Sequence, residues 1–170
     1  GGQQAAQFFY ALGCRRPGFV GERSTLRYSV PSTEERFRGY QFYFANQGIL
    51  MDSGHCWIGE FEESSVEDGI RSILSQEVLP DCVFCSSDVV ATLFLRIAKE
   101  SGISVPADMK VLGFDDIDMA AYAGLSSISQ NLDESGRLAA ELIMNRIKDP
   151  KRDIVNLSVP LRIKKRETTA

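Results

Sequence analysis

Apolar positions recur along this chain at two spacings, near 3.6 and near 2, and the alternation between them lays out the expected elements. Ala5, Phe8, Phe9 and Leu12 form one stripe, which predicts a helix over residues 3 to 12 that stops at Gly13. Pro17 to Gly21 has the character of a short buried strand, and residues 22 to 32, polar with Ser, Thr and Pro, that of a loop. Thr33 is placed to cap a second helix with Phe37, Tyr40, Gln41 and Phe44 on one face, closed by Gly48. His55 to Ile58 is a strand, and Ser64 or Ser65 starts a helix with Val66, Ile70, Ile73 and Leu74 on one side. The strand Asp81 to Ser86 precedes a helix capped by Ser87 or Asp88, with Val90, Leu93, Phe94 and Ile97 facing inward and Gly102 ending it. Met109 to Phe114 is a strand, a helical turn follows Asp116, Ser127 to Gln130 is a strand, and residues 133 to 148 form a helix ended by Pro150. Ile154 to Leu157 and Leu161 to Lys164 complete the strands.

Short helices alternating with apolar strands predict an α/β fold: a mainly parallel sheet with helices on both faces. In such sheets ligands lie beyond the carboxyl ends of the strands. The polar residues just past those ends are therefore the candidates: Glu60-Phe61-Glu62, Ser86-Ser87-Asp88 and Asp115-Asp116.

Composition narrows the function. The 170 residues suffice for one sizeable core, or for one lobe plus pieces of another, and 44% hydrophobic with 25% charged residues is ordinary for a globular domain. No apolar run approaches the roughly 20 residues that span a bilayer, so no membrane partner is expected. Gly1-Gly2-Gln3-Gln4 carries no basic leader and no signal-like apolar stretch, so no secretory signal is expected within these residues. The net charge of -4 argues against direct DNA binding, which normally uses a basic face. The one basic cluster, Arg162, Lys164, Lys165 and Arg166, is expected to be a solvated strand end.

The cysteines are 14, 56, 82 and 85. Cys82 and Cys85 have CxxC spacing, but in a strand residues three apart point to opposite faces, which argues against a redox pair or zinc knuckle there. Buried, inert thiols are the expectation, and reduced cysteines fit a cytoplasmic protein.

Catalysis finds little support. His55 is the one histidine, inside an expected strand, and neither a dinucleotide nor a phosphate-loop glycine motif occurs. The acids of "VLGFDDIDM" do not make a calcium loop: counted from Asp116, Ala120, Ala121 and Ser127 stand where a ligand, the turn glycine and the closing glutamate belong. No catalytic residue, metal or cofactor is expected. Asp116 suits a helix N-terminus and Asp118 a solvated position, leaving Asp115 free at the strand end.

The stretch "GISVPADMKVLGFDDIDMAAY" resembles the signature of the lactose/galactose-repressor family of bacterial transcription regulators. In family order, "GGQQAAQFFYALGCRRPGFVG", "STEERFRGYQFYFANQGI", "GEFEES", "VFCSSDVVATLFLRIAKESG", "LSSISQNLDESGRLAAELIMNRI" and "RIKKRETTA" extend the resemblance over essentially the whole chain. It implies a fragment of a periplasmic-binding-protein-like effector core, without its helix-turn-helix head, hinge helix or the opening of its first lobe. Residues 1–128 would form the C-terminal lobe, 129–157 a crossing segment and helix belonging to the N-terminal lobe, and 158–170 a final strand and tail.

The resemblance also implies ligand positions. Arg36 in "ERFRGY", Phe61 in "GEFEES" and Asp115 in "GFDD" match the family's effector arginine, cleft-wall aromatic and ligand-binding aspartate. Ser87 stands where the family usually has Asn, which removes an amide able to donate and accept together. A carboxylate accepting hydroxyl hydrogens, a guanidinium fork and an aromatic face suit a sugar or related metabolite. Read from the residues alone, Arg36 is a helix arginine paired with Glu34 or Glu35, and Phe61 is core. The resemblance further implies a homodimer, with Leu95, Arg96 and Tyr122 exposed at its interface, and DNA contact through the head alone. The alternatives are a periplasmic sugar receptor of a transporter and, more remotely, an α/β enzyme.

Overall fold

A computed structural model describes residues 1–23, 31–60 and 62–170. The helices are α1 (Gly2–Ala11), α2 (Ser32–Asn46), α3 (Glu63–Leu74), α4 (Asp88–Glu100), α5 (Asp118–Tyr122) and α6 (Leu132–Lys148). The strands are β1 (Pro17–Arg23), β2 (Cys56–Glu60), β3 (Cys82–Cys85), β4 (Lys110–Asp115), β5 (Ser126–Ser129) and β6 (Arg162–Lys164). They make one sheet in the order β2-β1-β3-β4-β5-β6. All neighbours are parallel except β5 and β6, which are antiparallel. The expected mainly parallel, helix-flanked α/β fold is what the chain adopts.

The strands divide their side chains by period 2 between two cores. Val20, Val83, Cys85 and Val111 face α3 and α4, against Val66, Ile70, Ile73, Val90, Phe94 and Ile97. Phe19, Cys82, Phe84, Leu112 and Phe114 face α1 and α2, against Phe8, Phe9, Tyr40 and Phe44. Cys82 and Cys85 thus lie on opposite sides of the sheet, as the spacing predicts. The α1–α2 core is aromatic: Tyr40 meets Phe44, Phe84, Phe19 and Phe9 with ring centroids 5.1 to 6.4 Å apart.

Local chemistry fixes the element ends. Gly13 takes φ +88°, which lets Cys14 N–H donate to the Phe9 carbonyl at 3.1 Å and ends α1 in a left-handed turn. At the other edge, Ser87 Oγ accepts from Val90 N–H at 3.3 Å and starts α4.

Several expectations are corrected. Thr33 does not cap α2; the helix follows Pro31, and the Thr33 hydroxyl donates to the Glu22 carbonyl at 2.5 Å, tying α2 to β1. β1 runs on to Arg23 because β2 pairs with it that far, so Glu22 and Arg23 belong to the sheet rather than to the expected loop; residues 24–30 of that loop lie outside the described residues. His55 precedes β2 in a single turn, Ser53–His55, with its ring Nε2 2.7 Å from the Val78 carbonyl. Ile154 to Leu157 is not a strand; no partner strand lies beside it among the described residues. Gln41 is exposed and Leu93 half-buried, at the margins of their helix faces.

The C-terminal tail is stitched to the sheet. Thr168 Oγ1 donates to the Val111 carbonyl at 2.7 Å and accepts from Ser126 N–H at 2.9 Å. Ser126 Oγ and Thr169 Oγ1 lie 2.7 Å apart. These contacts satisfy Ser126; with Ser127 bonded to Asp88 and Ser129 to the Asn131 amide, β5, a run of Ser-Ser-Ile-Ser, is buried without an orphaned hydroxyl.

Candidate functional site

The strand order reverses between β1 and β3, so the chain leaves them in opposite directions and opens a crevice at their carboxyl ends. Four polar side chains converge along this edge. Glu22 comes from β1, Ser86 from the end of β3, Asp115 from β4 and Gln130 from just beyond β5. Arg36 reaches in from the first turns of α2.

Arg36 is held on two sides. Its Nη1 donates to the Ser86 carbonyl at 2.6 Å, and its guanidinium carbon lies 3.7 Å from the centroid of the Phe114 ring. Partial burial pulls its pKa down, while Asp115 and Glu22 oppose that fall. The surface pairing with Glu34 or Glu35 is not made; Glu34 pairs instead with Arg23, and Glu35 with Arg38.

Asp115 has φ +110°, a conformation that turns it out of the strand's alternation. Its Oδ1 accepts from Gln130 Nε2 at 2.6 Å. Burial pushes its pKa up and Glu22 adds to the rise, against the Gln130 hydrogen bond and the Arg36 charge. Across the crevice, the Ser86 hydroxyl donates a short hydrogen bond to Glu22 Oε2.

Beneath the edge lies Asp88, fully buried. It accepts from Ser127 Oγ at 2.6 Å and from Ile117 N–H at 2.9 Å. Gly113 makes room for it: a Cβ there would fall 2.3 Å from Asp88 Oδ1. Asp88 thereby ties the backbone just after the Asp115-Asp116 turn to β5.

The three acids of "GFDDIDM" have separate places, though not all those expected. Asp116 is not a helix cap. It takes φ +60°, and its Oδ1 accepts from Arg166 Nη2 at 2.7 Å; α5 begins after Ile117 with no side-chain cap. Arg166 is correspondingly not a solvated strand end, since it also donates to the Leu125 carbonyl at 2.7 Å. Asp118 is exposed. Asp115 to Asp118, Ser129, Asn131, Asp133, Glu134 and Lys164 border an open cavity of about 420 Å³ continuous with this edge.

Of the remaining candidates, Ser87 lies at the carboxyl edge with its hydroxyl engaged as the α4 cap, and Phe61 lies outside the described residues. Leu95, Arg96 and Tyr122 are on the opposite, α4–α5 side. Arg96 pairs with Glu67 and, at 3.1 Å, with Glu100, and Tyr122 is 90% exposed. Leu95 is half-buried against the core rather than exposed, because α4 turns that position toward Ile103 and Val105. Sequence reasoning missed Glu22 and Gln130. Glu22 directly follows the expected strand Pro17 to Gly21, where the strand-end rule that singled out Asp115 also points; Gln130 lies inside the expected strand Ser127 to Gln130, whereas β5 stops one residue short of it, at Ser129.

An open sheet with helices on both faces and a polar crevice at its switch point defines a class, the ligand-binding α/β lobes. Residues 6–169 match the model of the periplasmic binding protein-like domain. The chain belongs to that family. It is 32% identical over 152 residues to the ribose operon repressor of Haemophilus influenzae, covering 88% of this chain and 45% of the repressor. It is 30% identical over 154 residues to the HTH-type transcriptional repressor PurR of Photobacterium profundum, covering 88% and 44%. Among solved structures, a LacI family regulator from Enterococcus faecium with bound ribose superposes with TM-score 0.84 at 26% identity, over 100% of this chain and 62% of that one. A CelR–cellobiose complex superposes with TM-score 0.83 at 28% identity, over 99% and 51%. The chain spans less than half the length of the repressors it matches.

Proposed function

We propose that this chain is the larger part of the effector-binding core of a bacterial transcriptional regulator, and that its effector is a small polyhydroxylated metabolite, a sugar or close relative. The observation that carries this reading is the convergence of Arg36, Asp115 and Glu22 at the switch point, with Arg36 pre-positioned by Ser86 and Phe114. A fixed fork of donors facing carboxylate acceptors matches vicinal hydroxyls and calls for no reaction. Ser87, at the same edge, and Phe61 complete the proposed ligand set. The similarity to sugar-operon and purine repressors favours a cytoplasmic regulator over a transporter's receptor, and over an enzyme.

In this reading residues 1–128 form the C-terminal lobe, 129–157 cross into the N-terminal lobe, and 158–170 return. The character of α6 supports that division. It has no buried residue; Met144 is exposed, and Ile143 and Ile147 stand exposed beside Ile154 around an apolar groove of about 370 Å³. Such a stripe on a 17-residue helix needs a covering layer. The effector would bridge the two lobes, favour one lobe arrangement over the other and so govern DNA binding by a helix-turn-helix head. The outer face of α4 and α5, with Arg96 and Tyr122 and with Leu95 at its margin, would join two copies into a homodimer.

A thermal-shift screen of the intact two-lobed core against pentoses, hexoses, nucleosides and purines tests the proposal. A saturable stabilisation by one sugar class, lost in Arg36→Ala, is the expected result. Stabilisation by a transported peptide or amino acid instead, or turnover of the ligand, would overturn it.

A further inference from the structure

At the amino-terminal edge of the sheet, opposite the crevice, Cys14 and Cys82 form a thiol pair that the proposed function does not use. Their Sγ atoms lie within 4.8 Å of each other, grouped with the Asp81 carboxylate. We propose that Cys14 and Cys82 are a reversible modification site, closing to an intramolecular disulfide on exposure to a low-molecular-weight disulfide.

The surroundings set the two thiols against each other. Asp81 accepts the backbone N–H groups of Arg15 at 2.8 Å and Arg16 at 2.9 Å, one on each oxygen. This bracket fixes the turn that carries Cys14 over the start of β3. It also occupies the carboxylate, which disfavours a metal-ligand role for Asp81. Cys14 lies just beneath the surface, between exposed Gly13 and exposed Arg15, so opening of a single turn uncovers it. Cys82 is fully enclosed, with the Tyr40 hydroxyl 3.6 Å from its sulfur. The hydrogen bond from Cys82 lowers the Cys14 pKa, whereas burial raises Cys82 well above the ordinary thiol value. The other thiols are poor nucleophiles: burial pushes Cys56 up to about 11 and raises Cys85 strongly on the far face of the sheet.

The chemistry proceeds in two exchanges. The Cys14 thiolate attacks one sulfur of the small disulfide RSSR, forming Cys14–S–S–R and releasing RS⁻. Cys82, deprotonated as it approaches, attacks the Cys14 sulfur and releases the second RS⁻. The two thiol protons end on two RSH, the protein pair is oxidised by two electrons, and RSSR is reduced by two. The bridge ties the α1–β1 turn to the first residue of β3 and closes a long loop, so it should raise stability. It lies at the opposite end of the strands from Arg36 and Asp115, so effector affinity should not change.

The test uses the full-length protein and oxidised glutathione, followed by alkylation, non-reducing digestion and mass spectrometry. The expected product is a peptide pair joined through Cys14 and Cys82, less two hydrogen atoms, with Cys56 and Cys85 unmodified and the bridge removed by dithiothreitol. Cys82→Ser should trap a stable glutathione adduct on Cys14. A lasting adduct on wild-type Cys14, first modification at Cys56, or four free thiols after prolonged exposure would each overturn the proposal. The wild-type measurement stands without any variant, so a Cys82→Ser protein that fails to fold does not remove the test.

Discussion

The guanidinium of Arg36 lies over the ring of Phe114, 3.7 Å from its centroid, and this stack decides what the crevice can hold. The aromatic face and the Ser86 carbonyl fix the plane of the guanidinium, so its remaining N–H groups point in set directions. Lys has neither the plane nor the fork. Arg36→Lys in the intact core should therefore weaken effector binding by roughly tenfold or more while shifting stability little. Titration calorimetry beside a urea melt separates the two effects; equal affinity for both proteins would refute the stacking role.

Asp88 is the main buried support of the crevice. Removing its carboxylate leaves the buried Ser127 hydroxyl without its acceptor and the Ile117 amide without its partner. Asp88→Ala should cost about 2–4 kcal/mol in urea unfolding, far more than an exposed Asp118→Ala, which should stay within about 0.5 kcal/mol. Similar midpoints for the two variants would show that Asp88 does not hold the turn.

The crevice carboxylate gives a pH signature. Asp115 in the folded chain has its pKa raised above the ordinary 3.8, so between that value and its folded value the native state binds more protons than the unfolded state. Stability contributed by this group is therefore lost, not gained, as pH rises through that window. Asp115→Asn should remove the decline and leave the ligand-free protein more stable at neutral pH, while weakening effector binding. Denaturation of both proteins from pH 4 upward checks the sign; a steeper decline in the variant would contradict it.

The α6 face should behave differently in the chain alone and in a two-lobed core. Ile147 is 67% exposed here. Ile147→Lys should change the stability of this chain by less than about 0.5 kcal/mol but cost about 1–3 kcal/mol in the intact core, where the proposed first lobe covers it. Equal small effects in both contexts would remove α6 from the lobe interface.

What the sequence made legible followed local rules. Period 2 separated Cys82 from Cys85, Gly13 ended α1, Ser87 capped α4, and the strand-end rule found Asp115. What it hid was set by distant partners. Asp116 has the sequence of a helix cap, but Arg166, 50 residues on, takes its carboxylate. Thr33 has the chemistry of a cap, but the Glu22 carbonyl holds its hydroxyl. Ile154 to Leu157 is apolar enough for a strand but finds no strand to pair with among the described residues. Gln130 was hidden by a boundary error of one residue, because β5 ends at Ser129 and leaves it just past the strand.

The most direct test of the account compares two acids three residues apart in the intact effector core. Calorimetry with the sugar found by the thermal-shift screen should show Asp115→Ala weakening binding roughly 10- to 100-fold, the cost of a lost charged hydrogen bond, and Asp118→Ala leaving it unchanged. Comparable losses in the two variants, or full affinity in Asp115→Ala, would contradict the assignment of the β1–β3–β4 edge as the effector site.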